Sequence, residues 1–202
     1  VSNTKSQADC KVAGFVRNSF VDWSGNISFV VFLGGCNFSC PHCHNRNILG
    51  HASNTLPLNS VINEIRGQIG FIDGVVISGG EPTTHPHLRT IIGEIRALGL
   101  PVKLDTNGSN FEILRDLVNE KLVDYVAMDI KAPLDRYVEL GFARDEKLVA
   151  SVEQSIKFLQ SGIVPHTFRT TPIPELIEKD IQTVKKTAGK SPWSLNDFVP
   201  VD

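Results

Sequence analysis

The sequence predicts an α/β fold on parallel strands: a partial (β/α)6 TIM-like barrel, open on one side. Three observations carry this. Short β-rich apolar runs recur at residues 27–33, 75–78, 102–105, 125–130, 164–170 and, weakly, 195–199. The stretches between them place apolar residues at helical spacing. The chain has 202 residues, too few for eight β/α units, which take about 250. Strict alternation calls for parallel strands joined by right-handed crossovers. A doubly wound sheet is the competing architecture, and periodicity does not separate the two. In either one, ligands gather at the carboxyl ends of the strands.

In chain order, residues 1–26 form an N-terminal lead-in followed by an edge strand. Residues 1–9 are polar and read as a frayed start. Residues 12–23 alternate loosely, and Trp23-Ser24-Gly25-Asn26 is a turn. Residues 27–202 form one barrel domain, with a C-terminus that reads as truncated soon after the sixth strand. The first helix spans 61–69, with Ile62, Ile65 and Ile69 on one side. The second, 88–98, carries Leu88, Ile91, Ile92, Ile95 and Leu98 and stops at Gly99, a left-handed cap. The third opens at Ser109 with Glu112 three residues on, a capping box, and buries Phe111, Leu114 and Leu117. The fourth covers 145–160 with Leu148, Val152, Ile156 and Leu159 inward. The fifth, 175–188, is charged outside and ends at Gly189.

Hydrophobic residues make up 41% and charged residues 21%, ordinary globular usage. The net charge of −2 offers no basic excess for nucleic acid or an anionic membrane as main partner. Run 27–33 is far too short to span a bilayer, and residues 1–11 lack an apolar signal core. These features place the chain in the cytoplasm, where thiols stay reduced and clustered cysteines mean metal or redox chemistry.

The strand ends carry the polar residues. The first run feeds Gly34-Gly35-Cys36-Asn37-Phe38-Ser39-Cys40-Pro41-His42-Cys43-His44-Asn45. The second ends in Ser78-Gly79-Gly80-Glu81-Pro82, the third in Asp105-Thr106-Asn107-Gly108, and the fourth in Met128-Asp129-Ile130-Lys131. Arg169-Thr170-Thr171 closes the fifth. All would face one rim, as a cofactor site on this scaffold requires. Each also has a plainer reading. Gly79-Gly80 could be an ordinary turn, Asn107 an Asx-turn, Asp129 and Lys131 a salt bridge, and Arg169 the partner of a carboxylate.

Cys36, Cys40 and Cys43 are spaced C-x3-C-x2-C. Three thiolates suit an iron–sulfur cluster with one iron left accessible. A Cys3His zinc site using His42 or His44 is one alternative, but no second ligand cluster accompanies it. Covalent haem at Cys40-Pro41-His42-Cys43-His44 is another, and it would leave Cys36 unexplained. Cys10, in the polar lead-in, is expected to be a bystander.

With its aromatic residue, His42, before the last cysteine, this loop resembles the signature of the radical S-adenosylmethionine superfamily. Phe32-Leu33-Gly34-Gly35-Cys36 and Cys43-His44-Asn45 look like the glycyl-radical-enzyme activases. The likeness runs from about Gly14 to the C-terminus. It is nearest to the activating proteins of anaerobic ribonucleoside-triphosphate reductase, with pyruvate formate-lyase activases similar too. The resemblance implies a [4Fe-4S] cluster on Cys36, Cys40 and Cys43, with S-adenosylmethionine on its unique iron and His42 beside it. It implies that Gly79-Gly80-Glu81 holds the methionyl amine, with Ser78, Asn107, Lys131 and Arg169 on the rest of the cofactor. Asp105, Thr106 and Asp129 match positions of a monovalent cation. The implied activity is reductive cleavage of the cofactor and removal of a Cα hydrogen from a glycine of a partner enzyme. A flavodoxin or ferredoxin would supply the electron. The pattern departs at Asp22-Trp23-Ser24-Gly25, where activases commonly carry Asp-x-Pro-Gly. Two alternatives compete: a small-molecule radical enzyme such as a 7-carboxy-7-deazaguanine synthase, and a non-catalytic zinc-stabilised module.

Overall fold

The structure is a computed structural model that describes residues 10–49 and 55–200. The frayed start expected over 1–9 lies outside the described residues. The chain divides into two compact units. One takes in the residues up to Cys36, Asn45–Asp105 and Lys121–Asp124; the other takes in Asn37–His44, Thr106–Glu120 and Tyr125 onward.

In the first unit, β1 (Lys11–Val12) pairs antiparallel with β4 (Leu56–Pro57). The expected edge strand is β2 (Gly14–Ser19), antiparallel to β3 (Ser28–Leu33). From β3 onward the pairing is parallel. β5 (Gly74–Gly79) runs beside β3 in the register Ser28↔Gly74 to Leu33↔Gly79, and β6 (Val102–Thr106) runs beside β5. Phe29, Val30, Val31 and Leu33 are fully buried, as are Val75, Val76 and Ile77. Strands covered on both faces read as continuous apolar runs, which is why they were legible.

After the short helix α1 (Arg46–Leu49), α2 (Leu58–Gly67) buries Leu58, Val61, Ile62 and Ile65. It stops before Ile69, which is half exposed rather than inward. α3 (Leu88–Ala97) buries Leu88, Ile91, Ile92 and Ile95. Each such side chain contributes roughly 2 kcal/mol by leaving water.

The second unit carries α4 (Phe111–Asn119), β7 (Tyr125–Asp129), α5 (Glu146–Gln160), β8 (His166–Thr170), α6 (Glu178–Ala188) and β9 (Trp193–Leu195). β7, β8 and β9 pair in parallel in that order. α5 opens with Asp145 accepting from the Leu148 amide at 3.1 Å, an ordinary N-cap. The capping box expected at Ser109 does not form. Asn110 is the N-cap and makes no side-chain cap bond. The Phe111 amide donates instead to Ser151 Oγ of α5, at 2.9 Å. A tertiary partner has replaced the local one, and Ser109 is released for another role. The expected α/β class with parallel strands is the class found.

Candidate active site

In the first unit the chain leaves β3 through Gly34 and Gly35, the latter at φ +83°, and reaches Cys36. The next strand end lies against this segment. The Gly80 amide donates to the Leu33 carbonyl and the Glu81 amide to the Gly35 carbonyl, each at 2.9 Å. There is no room for side chains here. A Cβ on Gly80 would stand 1.9 Å from the Gly35 oxygen, and one on Gly79, at φ +120°, 2.3 Å from the Leu33 oxygen. The glycine pair is therefore more than a turn preference: it lets two backbones meet beside Cys36. Asn45, of the Cys-His-Asn extension, donates to the Gly79 carbonyl at 2.5 Å and ties the far end of the cysteine loop to the same edge.

Glu81 is fully buried. Its carboxylate accepts from the Thr83 amide at 3.0 Å and the Thr83 hydroxyl at 2.6 Å, capping the short turn Pro82–Thr84. Ser78 donates its hydroxyl to Asp105 Oδ2 at 3.1 Å. The other Asp105 oxygen lies 3.0 Å from the Lys103 ammonium.

The second unit holds the rest of the loop. Asn37, Asn107 and Ser109 form a polar knot. Asn37 Nδ2 donates to Ser109 Oγ at 2.8 Å, Asn107 Nδ2 to Asn37 Oδ1 at 3.3 Å, and the Ser109 amide to Asn107 Oδ1 at 2.9 Å. That last bond is the Asx-turn the sequence allowed. Thr106 Oγ1 accepts from the Gly108 amide at 3.0 Å. Phe38 stacks edge-on against Tyr137, centroids 6.1 Å apart, and the Ser39 amide donates to the Phe142 carbonyl at 3.1 Å. Tyr137 is fully buried, and its hydroxyl accepts from the Lys131 amide at 2.9 Å. His42 meets the Glu175 carboxylate at 2.9 Å and packs edge-on against Phe198, centroids 5.3 Å apart.

Asp129 binds Lys131 Nζ at 2.7 Å and Arg169 Nε at 2.9 Å. Burial alone would raise its carboxyl; the Arg169 and Lys131 charges outweigh that and hold it well below the usual carboxylate range. The Cys40 thiol feels the same cluster. Burial pushes it up, Lys131 pulls it back, and the charges of Cys43 and Asp129 add to the rise. The Cys40 thiol thus feels Lys131, Cys43 and Asp129 together.

Cys36, Cys40 and Cys43 are partly exposed and Cys10 is buried. Burial pushes Cys10 up to about 11, which keeps it protonated and a poor metal ligand. Burial is thus the reason for it to stand aside. Among the described residues, no three His, Cys, Asp or Glu side chains are gathered closely enough to hold a metal ion. The donor chemistry still suits an iron–sulfur cluster: three accessible soft thiols in a short glycine-led loop.

The sequence did not mark Lys103, Asn37, Tyr137, Glu175 or Phe198 as site residues, and it marked Ser109 only as a helix cap. Only Lys103 carried a usable signal, a charge at a strand position two from Asp105 and so on the same face.

The radical SAM superfamily model matches residues 30–188. A Methanocaldococcus jannaschii protein named as a candidate glycyl-radical enzyme activating enzyme is 34% identical over 196 residues, covering 95% of this chain and 81% of its own length. The 7-carboxy-7-deazaguanine synthase of Aquifex aeolicus is 34% identical over 136 residues, 66% of this chain and 60% of its own. Among solved structures, Streptococcus suis SuiB bound to precursor peptide SuiA superposes with a TM-score of 0.65 at 15% identity, over 84% of this chain. This chain spans only 39% of SuiB. SuiB has also been solved bound to S-adenosylmethionine, with a TM-score of 0.61 and 13% identity, over 83% of this chain and 38% of SuiB. At such identities the likeness fixes the fold alone, and it is the partial TIM barrel of radical SAM enzymes rather than a doubly wound sheet. The matched domain, the glycine-backed cysteine loop and a relative that aligns along nearly the whole chain lead to one assignment: the chain belongs to the radical SAM superfamily, whose chemistry implies a [4Fe-4S] cluster and S-adenosylmethionine, and is an enzyme of the glycyl-radical activating type.

Proposed function

We propose that the chain activates anaerobic ribonucleoside-triphosphate reductase by generating its glycyl radical, in the cytoplasm, with a flavodoxin or ferredoxin as electron donor. The observation that carries the activase reading is the extent of the likeness. It covers 95% of this chain for the activating enzyme and 66% for the deazaguanine synthase. Among the described residues no helix is long and apolar enough to cross a membrane.

Cys36, Cys40 and Cys43 would hold the cluster. When bound, the cluster and S-adenosylmethionine together supply the hydrogen-abstracting chemistry. The protein's part is placement. Asn45 steadies the Gly79 carbonyl, leaving the Gly79-Gly80-Glu81 edge to receive the methionyl amine. Ser78, Asn107, Lys131 and Arg169 would contact the rest of the cofactor while keeping their protein partners. An ammonium has three donor hydrogens and a guanidinium five, so Lys131 and Arg169 can serve Asp129 and a ligand together. His42, held by Glu175 and Phe198, would flank the cofactor with its ring.

Anaerobic reconstitution with iron and sulfide tests the ligand set. Cys36→Ala should lose the brown cluster absorbance, and Cys10→Ala should keep it; an intact cluster in Cys36→Ala refutes the assignment. Incubation with the reductase, S-adenosylmethionine and dithionite tests the partner: a glycyl-radical doublet in electron paramagnetic resonance is expected.

A further inference from the structure

We propose that Lys103 stands permanently where the resemblance places a monovalent cation beside Asp105, so that this chain neither binds nor needs such an ion there. Every residue of β6 is buried, and Lys103 and Asp105, two apart, share a face. The Lys103 ammonium is 3.0 Å from Asp105 Oδ1, with side-chain exposures of only 5% and 9% for the pair. It also donates to the backbone carbonyl of Asp22. A carboxylate oxygen and a backbone carbonyl are the hard oxygen ligands a sodium or potassium ion would collect, and a compact ammonium carries the same charge.

The charge count argues the same way. The second carboxylate of the expected site, Asp129, already has Lys131 at 2.7 Å and Arg169 at 2.9 Å. Each carboxylate of the expected site is thus met by a side-chain cation within its own unit. An added cation at Asp105 would meet the like charge of Lys103 in a poorly screened interior. Thr106 Oγ1, the third expected ligand, accepts from the Gly108 amide.

The test uses the unloaded chain, so its outcome does not depend on the activase reading. Thermal unfolding is measured in sodium, potassium and choline chloride at one ionic strength. The wild-type midpoints should agree within about 1 °C, since an ion that binds only the folded state would raise the midpoint in proportion to its occupancy. Lys103→Met removes the ammonium beside a buried carboxylate. It should melt about 10 °C lower in choline and recover saturably with potassium or sodium. Adding Asp105→Asn to Lys103→Met should abolish that recovery. A saturable rise of the wild-type midpoint with either metal ion overturns the proposal, whether or not the variants fold. So does a folded Lys103→Met that shows no loss, or a loss that neither ion restores.

Discussion

Asp129 shows how a residue's partners decide its chemistry. The salt bridge that spacing allowed for Asp129 and Lys131 is formed, and Arg169 joins it from the next strand. Because Asp129's folded carboxyl sits below its unfolded value, its stabilisation is fully present above the unfolded carboxylate pKa of about 4 and is lost as pH falls through the folded value. Asp129→Asn should therefore cost about 2–3 kcal/mol at pH 7, the lower end for a broken pair because the group is a quarter exposed. The gap between variant and wild type should narrow in thermal unfolding as pH drops below about 4. A gap unchanged at pH 3 would mean the carboxylate's charge is not what stabilises it. The partner of His42, by contrast, was illegible. Glu175 lies 133 residues from His42, and no local pattern pairs residues at that distance.

At the scale of elements, legibility followed burial. Strands β3, β5 and β6 announced themselves because both faces are covered, and α3 because its apolar stripe repeats on one side. Ends were less readable, since caps and stops respond to tertiary partners. Ser151 displaced the box expected at Ser109, and α2 ended before Ile69 could turn inward. The glycines divide in the same way. Gly80 touches backbone, so Gly80→Ala should cost more than about 3 kcal/mol and impair cluster loading, because a carbonyl cannot rotate aside as a side chain can. Gly93, in the exposed face of α3, has nothing within 4 Å of a built Cβ. Gly93→Ala should instead stabilise by about 0.5–1 kcal/mol. Denaturant unfolding of both variants separates a glycine required by close approach from one merely tolerated. Equal effects would remove the geometric distinction.

Over the whole chain, the choice between a protein and a small-molecule substrate rests on extent. The likeness to the synthase stops at 136 residues and that to the activating enzyme continues to 196. The shorter match covers 66% of this chain and the longer one 95%. A protein substrate should then be required for radical storage but not for cofactor cleavage. Reduced, reconstituted enzyme should cleave S-adenosylmethionine slowly alone, and should give the glycyl doublet only when the reductase is added. Replacing the reductase's radical-bearing glycine by alanine should erase the doublet while leaving cleavage in place, because the lost hydrogen belongs to the partner and cleavage does not. Cleavage without any doublet, accompanied by carboxy-deazaguanine formation from a small-molecule substrate, would transfer the chain to the synthase reading.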